Sequence, residues 1–286
     1  MKELVVLSGK GGTGKTSIVG SFAALAKGAV LADCDVDAAD LHLLLEPVVG
    51  QRQEFWSGQV AFIDESKCTQ CGLCQELCRF KAIRDFKVER ISCEGCGFCS
   101  HICPTEAIRM EENLSGHWLV SDTRYGPLVN ARLGIAQENS GKLVAVVRQQ
   151  AKTVAEERKL DYIISDGPPG IGCPVISSLS GASLALLVTE PTLSGIHDLE
   201  RVLGVCRHFG VPALVCINKY DINEENTRQI ETYCHTQGAE VAAKIPFDNV
   251  FTEAMVQGLP VAEYSNGAVS RQIDLLWQTL ASKLGD

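Results

Sequence analysis

Short apolar runs alternate along the chain with longer stretches of helical periodicity. Apolar runs of about four to eight residues that end at a polar position are typical of strands buried in a parallel sheet. Such runs lie at 4–7, 29–33, 162–166, 182–189, 213–217 and 241–245. Helical periodicity occupies 17–27, 38–45, 142–159 and 195–209. This alternation predicts an α/β fold with a doubly wound, mostly parallel sheet.

The last stretch of helical periodicity is strongly amphipathic. Its apolar positions are Val269, Ile273, Leu276, Trp277, Leu280 and Leu284. A helix with one apolar face packs either on a protein core or on a membrane surface. Only Arg271 and Lys283 supply positive charge here, so we expect this helix to pack against the sheet.

The alternation of strand and helix patterns stops near Pro47, and a cysteine-rich segment follows. Eight of the 13 cysteines lie between positions 68 and 103, in two copies of Cys-x-x-Cys-x-x-Cys-x-x-x-Cys offset by 25 residues. Pro104 follows the second copy, whereas Arg79 occupies the matching position after the first. Cysteines clustered at this spacing indicate metal binding rather than disulfides in a reducing compartment.

The cysteine segment resembles a bacterial ferredoxin with two [4Fe–4S] clusters over about residues 58–112. In such ferredoxins each Cys-x-x-Cys-x-x-Cys run holds one cluster, and the fourth cysteine ligates the other cluster. The resemblance implies that the first cluster is held by Cys68, Cys71, Cys74 and Cys103, and the second by Cys93, Cys96, Cys99 and Cys78. A pair of structural zinc sites is the alternative, but zinc usually pairs Cys-x-x-Cys units.

A glycine-rich turn separates the first apolar run from the first helix. Residues 9–16 read Gly-Lys-Gly-Gly-Thr-Gly-Lys-Thr, and this spacing between a strand and a helix is typical of a phosphate-binding loop. Lys15 is expected to reach the β- and γ-phosphates and the Thr16 hydroxyl to ligate Mg²⁺. The predicted ATP- or ADP-binding residues of this turn are Gly9, Lys10, Gly11, Gly12, Thr13, Gly14, Lys15, Thr16 and Ser17.

Lys10 makes this loop resemble the deviant loop of the MinD/ParA/nitrogenase-iron-protein superfamily of ATPases. The resemblance implies that Lys10 reaches the nucleotide of a facing subunit in an ATP-bound dimer. It also implies that Asp35 orients the attacking water or contacts Mg²⁺, and that Asp166 holds Mg²⁺ through water. Asn218 would read the adenine edge, and Pro246 would border the base. The expected catalytic residues are Lys10, Lys15, Asp35 and Asp166.

The acids near Asp35 have a second interpretation. Asp33 and Asp37 are neighbours of the predicted catalytic acid, and Asp40 follows them. Asp is a preferred N-cap residue because its carboxylate accepts backbone N–H groups at the start of a helix. Asp37 and Asp40 are therefore candidates for capping the helix predicted at 38–45.

The whole chain resembles MinD-like ATPases that carry an inserted ferredoxin domain. We expect an ATPase domain of residues 1–46 and 140–286 and a ferredoxin-like insert of residues 58–112. Residues 47–57 and 113–139 would connect them, the latter with a hairpin across Arg124–Pro127. Because the insert follows the predicted catalytic acid closely, nucleotide state and cluster state are expected to influence each other.

Charge and hydropathy limit the kinds of partner and the compartment that the sequence is compatible with. The net charge of −9 argues against a general nucleic-acid binder, because attraction to phosphates dominates that affinity. No apolar run reaches the ~18 residues of a membrane span, and strand-like sequence from Leu4 leaves no signal peptide. The sequence thus predicts a cytoplasmic protein that forms a homodimer, or a heterodimer with a related ATPase, and serves an unknown redox or iron–sulfur partner.

Three classes of function remain open. The first is an ATPase that gates electron transfer. The second is an iron–sulfur assembly or carrier protein, although the C-terminal Cys-x-x-Cys of such carriers is missing from this sequence. The third is a positioning ATPase of the MinD/ParA type, in which the insert is structural or senses redox state.

Overall fold

The computed structural model describes residues 1–134 and 139–285. The strands are β1 Lys2–Ser8, β2 Ala29–Asp33, β3 Val48–Ile63, β4 Ile83–Arg84, β5 Lys87–Val88, β6 Ile108–Thr123, β7 Gly126–Leu133, β8 Tyr162–Pro169, β9 Leu184–Thr189, β10 Ala213–Asn218 and β11 Glu240–Ile245. The helices are α1 Lys15–Leu25, α2 His42–Leu45, α3 Leu73–Glu76, α4 Phe98–Ile102, α5 Ser140–Arg158, α6 Cys173–Leu179, α7 Leu193–His208, α8 Glu224–Thr236, α9 Val250–Val256, α10 Val261–Tyr264 and α11 Ala268–Gly285.

Within the described ranges, nine strands form one sheet in the order β11-β10-β9-β1-β8-β2-β7-β6-β3. β1 pairs in parallel with β8 and β9, and β2 pairs in parallel with β7 and β8. β10 extends the parallel arrangement between β9 and β11. The predicted α/β fold with a mostly parallel sheet is therefore confirmed, and the carboxyl ends of β1, β2 and β8 meet at one edge.

The chain divides into two compact units. One comprises Met1–Arg52, Trp118–Arg132 and Ser140–Asp286, and the other comprises Gln53–His117 and Leu133–Asn139. The predicted insert, 58–112, lies within the second unit. The segments predicted to connect the domains are largely strand, since β3, β6 and β7 run through them. Residues 135–138 of the 113–139 segment, and residue 286, lie outside the described residues.

The central strand β1 supplies both faces of the sheet. Leu4 and Val6 belong to one apolar core, whereas Val5 and Leu7 belong to the other. This division follows from the alternation of side chains along a strand. All six apolar positions predicted for the last helix are buried in the first of these cores, so the predicted packing of α11 on the sheet is confirmed.

One predicted helix is much shorter than expected. The run at 38–45 forms only α2, His42–Leu45. The carboxylate of buried Asp33 accepts the backbone N–H groups of Leu41 and Asp35, at 3.1 and 3.2 Å. These bonds hold the chain after β2 in a turn that is incompatible with a continuous helix. α2 has no side-chain cap, so the suggestion that Asp37 or Asp40 caps it is wrong.

A buried ion pair that the sequence did not reveal ties β1 to α5. The Arg148 guanidinium donates to both Glu3 carboxylate oxygens, from Nε at 2.7 Å and from Nη2 at 2.6 Å. Its Nη1 donates to the carbonyls of Ser177 and Ser180, at 2.5 and 2.8 Å. Glu3 and Arg148 are only 4% and 6% exposed. Arg148 thus satisfies backbone groups at the end of α6 as well as the carboxylate.

Arg148→Ala should strongly destabilise the first unit, because it leaves the buried Glu3 carboxylate with only the Ser165 hydroxyl at 3.1 Å and the Lys152 ammonium at 4.0 Å. The expected loss in the free energy of unfolding is about 3–5 kcal/mol, measured by urea denaturation. The matched control is Arg158→Ala on the same helix, whose partner Asp122 is exposed. Loss of such a surface pair costs about 0–1 kcal/mol. Equal losses for the two variants would contradict the role given to the buried pair.

Candidate functional site

The glycine-rich turn lies between β1 and α1, at the carboxyl edge of the sheet. Gly12 and Gly14 have φ of 79° and 89°, a left-handed conformation that glycine adopts without steric cost. Gly14 also precedes the first residue of α1, and a Cβ there would collide with the Asn218 side chain. Free backbone N–H groups at such a helix start form an anion-binding site.

The turn lines a cavity of about 580 Å³. Residues 11–17 of the turn line the cavity, as do Asp35, Asp37 and Asp40 from the loop after β2. Pro168 and Pro169 at the end of β8, and Met255 on α9, complete much of the wall. The turn and the acids predicted from separate stretches of sequence therefore face the same space. Gly9, Lys10, Asp166, Asn218 and Pro246 are not among its lining residues.

Lys15 forms a buried ion pair with Asp166 at the base of this cavity. The Lys15 ammonium donates to Asp166 Oδ1, and the two side chains are 7% and 1% exposed. Burial alone would lower the pKa of Lys15, but the carboxylates of Asp166, Asp33 and Asp35 outweigh it and raise the pKa. Lys15 is therefore a fixed positive charge beside the turn.

The acids around Lys15 compete for its charge. β2 and β8 are in register so that Asp33 lies opposite Asp166. Burial and the neighbouring Asp166 carboxylate raise the pKa of Asp33 well above its usual value. Burial also raises the pKa of half-buried Asp35, although Lys15 opposes the shift. Such crowding of carboxylates favours a cation at this edge of the sheet.

Lys10 points to a different set of partners in its own subunit. Its Nζ lies 2.6 Å from Glu190 Oε1 and 3.1 Å from the hydroxyls of both Thr192 and Ser194. Lys219 also contacts Glu190, at 3.0 Å. Burial opposes ionisation of Glu190, but hydrogen bonds from the two lysines outweigh it and lower its pKa. Glu190 was not predicted, although an acid directly after a buried strand is the same signal that marked Asp33 and Asp166.

Asn218 and Pro246 occupy distinct positions near the turn. Asn218 is buried and donates from Nδ2 to the Thr13 carbonyl at 2.8 Å. Next to it, Lys219 donates from Nζ to the Gly12 carbonyl at 3.1 Å. Two residues at the end of β10 therefore hold the turn by hydrogen bonds to its carbonyls. The contact of Lys219 with the turn was not predicted from the sequence. Pro246 follows β11 and is half-buried.

The second unit contains two cavities lined by the repeated cysteines. One is lined by Cys68, Cys71, Cys74 and Cys103. The other is lined by Cys78, Cys93, Cys96 and Cys99, with Cys74 between the two. Each cavity thus combines three cysteines of one repeat with the fourth cysteine of the other. We name them the first and second cysteine cavities.

The two repeats have the same local backbone. Gly72 and Gly97 both adopt a left-handed conformation immediately before α3 and α4. The N–H of Ala82 donates to Cys78 Sγ at 3.4 Å, and the N–H of Ala107 donates to Cys103 Sγ at 3.3 Å. Donors directed at sulfur stabilise the thiolate form. The repeat seen in the sequence is therefore also a structural repeat.

The thiols of each cavity are close enough to affect one another's charge. Burial raises the pKa of the Cys74 thiol first, and the neighbouring Cys68, Cys71 and Cys103 raise it further. For Cys99 the corresponding causes are burial and then Cys93 and Cys96. Among the described residues, no three His, Cys, Asp or Glu side chains converge as ligands of a single metal ion.

The remaining cysteines lie outside these cavities. Cys34, Cys206, Cys216 and Cys234 are buried and act as packed side chains. Cys173 is exposed and begins α6. Of the helices described, none combines the length and apolar character that crossing a membrane requires.

Comparison with known proteins places this arrangement in a family. The family model of the CobQ/CobB/MinD/ParA nucleotide binding domain matches residues 4–261. An uncharacterized protein of Methanocaldococcus jannaschii is 34% identical over 281 residues, which cover 97% of this chain and 96% of that protein. The iron-sulfur cluster carrier protein of Pyrococcus horikoshii is 26% identical over 158 residues, which cover 50% of this chain and 53% of that protein.

Solved structures agree on the fold. The septum site-determining protein MinD of Pyrococcus horikoshii, complexed with Mg-ADP, matches 98% of this chain and 95% of that chain with a TM-score of 0.57 and 18% identity. The resemblance to MinD and ParA proteins inferred from the loop and the acids is thereby confirmed. The chain belongs to the CobQ/CobB/MinD/ParA family of nucleotide-binding domains.

Proposed function

We propose that this chain is an ATP-hydrolysing switch that acts as a dimer and carries two [4Fe–4S] clusters. Its ATP cycle gates electron transfer, or cluster handling, through the cysteine-rich unit. The observation that carries the proposal is the interleaved distribution of cysteines over two cavities, in a chain that also has a phosphate-binding turn. A nucleotide-binding family member with this second unit has a redox group for the nucleotide to control.

The nucleotide side of the proposal rests on the ion pair at the base of the turn. Lys15 is positioned by Asp166 and is available to phosphates that enter the cavity. Once phosphate takes the lysine, Asp166 is available to hold Mg²⁺ through water, and the Thr16 hydroxyl and half-buried Asp35 border the same space. Bound Mg²⁺ would neutralise charge that develops on the phosphates during hydrolysis. The MinD structure named above was obtained with Mg-ADP, which supports this assignment.

The dimer side of the proposal rests on Lys10. In the single subunit Lys10 is held by Glu190, Thr192 and Ser194, and it does not line the cavity. To act on the nucleotide of a facing subunit it must give up these contacts. Glu190 then retains Lys219 as a partner, so release of Lys10 does not leave the carboxylate unpaired.

The cysteine cavities fit iron–sulfur clusters better than zinc. Structural zinc usually binds paired Cys-x-x-Cys units, whereas each set here takes three cysteines from one Cys-x-x-Cys-x-x-Cys run and the fourth from the other repeat. The second cavity, about 260 Å³ in volume, has room for a group larger than one ion. Cys68, Cys71, Cys74 and Cys103 would hold the first cluster, and Cys93, Cys96, Cys99 and Cys78 the second. The clusters would supply one-electron chemistry at this unit.

A carrier function is the second candidate. Proteins named iron-sulfur cluster carrier protein are similar in sequence to about half of this chain. Cys71 and Cys96, one in each cavity, are exposed. An exposed ligand gives an acceptor thiol access to a bound cluster.

A positioning ATPase whose insert senses redox state is the third candidate. The classes separate in an anaerobic experiment, because a carrier releases iron to an apo-acceptor, whereas an electron-transfer ATPase keeps its iron and shows cluster reduction coupled to ATP turnover.

Double substitutions test the interleaved cysteine sets. The purified chain should bind about eight iron atoms, four for each cluster. Cys78→Ser with Cys96→Ser removes two ligands from one set and should leave about four iron atoms. Cys78→Ser with Cys74→Ser damages both sets and should leave almost none. Iron analysis and electron paramagnetic resonance of the reduced protein provide the measurement.

The opposite result, with about four iron atoms retained in the Cys74/Cys78 variant and none in the Cys78/Cys96 variant, would show that each repeat holds its own metal. Cys173→Ser is the control for loss of an exposed thiol outside both cavities, and its iron content should equal that of the parent.

ATPase activity per subunit should rise with protein concentration, because Lys10 acts only across a dimer. Lys10→Ala should lower the rate at high concentration by about 10²–10³-fold, the effect of removing one charge-stabilising donor from a transition state. ATP binding to the isolated subunit should change little, since Lys10 does not line the cavity. Lys27→Ala is the matched surface control. A rate per subunit that is independent of both concentration and Lys10 would rule out the dimer mechanism.

A further inference from the structure

The two cysteine repeats share a backbone but differ in charge. Positions 25 residues apart correspond, so that Lys81 matches Glu106 and Lys87 matches Glu112. Lys81 and Glu106 have nearly the same left-handed backbone, with φ of 53° and 51°. Each donates its N–H to the carbonyl of the fourth cysteine of its repeat, at 3.0 and 3.2 Å. The backbone therefore requires the same conformation at Lys81 and at Glu106, and it does not explain why their charges are opposite.

The basic residues of the first repeat are exposed. Arg79, Lys81, Arg84 and Lys87 all lie at the surface. Within residues 1–134 and 139–285, none of the four belongs to an ion pair. Residues 79–89 also contain two acids, Asp85 and Glu89, and Glu89 accepts a hydrogen bond from Ser92. The stretch is thus locally basic on a chain whose net charge is −9.

The small hairpin of β4 and β5 concentrates this charge. Arg84 lies directly opposite Lys87 in the antiparallel register. Like charges in directly opposed positions destabilise a strand pair. The pair therefore opposes folding of the hairpin, and a partner that carries negative charge would relieve the repulsion.

The second cysteine cavity opens beside this basic stretch. Arg79 and the exposed acid Glu94 line it together with the cysteines, and Arg79 takes the position where Pro104 lines the first cavity. Leu77, Phe80 and Phe98 also line it, and they are 48%, 41% and 49% exposed. The first cavity has Thr105 in the position that matches Phe80. Exposed apolar side chains next to unpaired basic residues are typical of a protein-docking surface.

We propose that the second cysteine cavity is the docking site for a small acidic protein that carries one electron at a time. The inference rests on the proposed function, because it requires a redox group at that cavity. Cys78, Cys93, Cys96 and Cys99 would hold the redox group. That group would be reduced by one electron from the donor, which would be oxidised, with no bond or proton exchanged. Charge complementarity steers such encounters, and their interfaces are small. The first cavity, where Pro104 and Thr105 take the positions of Arg79 and Phe80, does not attract this partner.

Binding of an acidic plant-type [2Fe–2S] ferredoxin, labelled with a fluorophore, tests the proposal by anisotropy. The charge-reversed variant is Arg79→Glu, Lys81→Glu and Lys87→Glu. The matched control reverses the corresponding acids of the other repeat, Glu106→Lys and Glu112→Lys. At low salt the first variant should bind at least about tenfold more weakly than the parent, because rim charges control association. The control should bind as tightly as the parent or more tightly. Salt at about 0.3 M should remove most of the difference by screening.

Iron content and visible absorption of all three proteins separate the two levels of the proposal. A parent chain that binds no iron would overturn the proposed function itself. Iron-loaded proteins that bind the ferredoxin equally well, or a parent that does not bind it at low salt, would overturn only the docking site. Weakening by both variants, which change the net charge in opposite directions, would show a structural effect of the substitutions and would also overturn it.

Discussion

The buried contact between Lys15 and Asp166 is the constraint on which the nucleotide edge of the first unit depends. A lysine ammonium out of water needs a carboxylate, and Asp166 supplies one from the neighbouring strand β8. Because Asp33 lies opposite Asp166, the same edge already holds more negative charge than one lysine neutralises. The edge therefore combines a lysine suited to an anion with clustered acids suited to a cation.

Much of this edge could be read from the sequence, because its chemistry lies in contiguous motifs. The glycine-rich turn, Lys15 and the acids after β2 and β8 occur at fixed offsets from buried strands, and parallel strands bring their carboxyl ends to one edge. Glu190 and Lys219 were missed because their roles depend on pairing with Lys10 and Gly12, which are distant in the chain. The Glu3–Arg148 pair was missed for the same reason. A side chain at the end of a strand can be predicted, but its partner depends on tertiary packing.

The cysteine-rich unit shows the same division between local pattern and tertiary result. The 25-residue repeat was visible in the sequence, whereas only the structure shows that each cavity combines cysteines of both repeats; the two ligand sets stay a prediction. Arg79 was noticed only as a departure from the ferredoxin resemblance. The structure places Arg79 in the wall of the second cavity, where Pro104 lines the first. Lys81 and Glu106, which follow in the two repeats, occupy equivalent backbone positions. Two copies with one backbone leave the surface free to diverge, so each cysteine cavity can acquire a partner of its own.

The central strand β1 limits how this chain can change in evolution or by engineering. Its successive side chains alternate between two separate cores. Insertion or deletion of one residue between Leu4 and Leu7 would exchange the two sets and move the glycine-rich turn out of line with β8. Length changes are therefore expected to accumulate away from β1. The long excursion between β2 and β7, two neighbouring parallel strands, has accommodated an additional unit while the central strands kept their register.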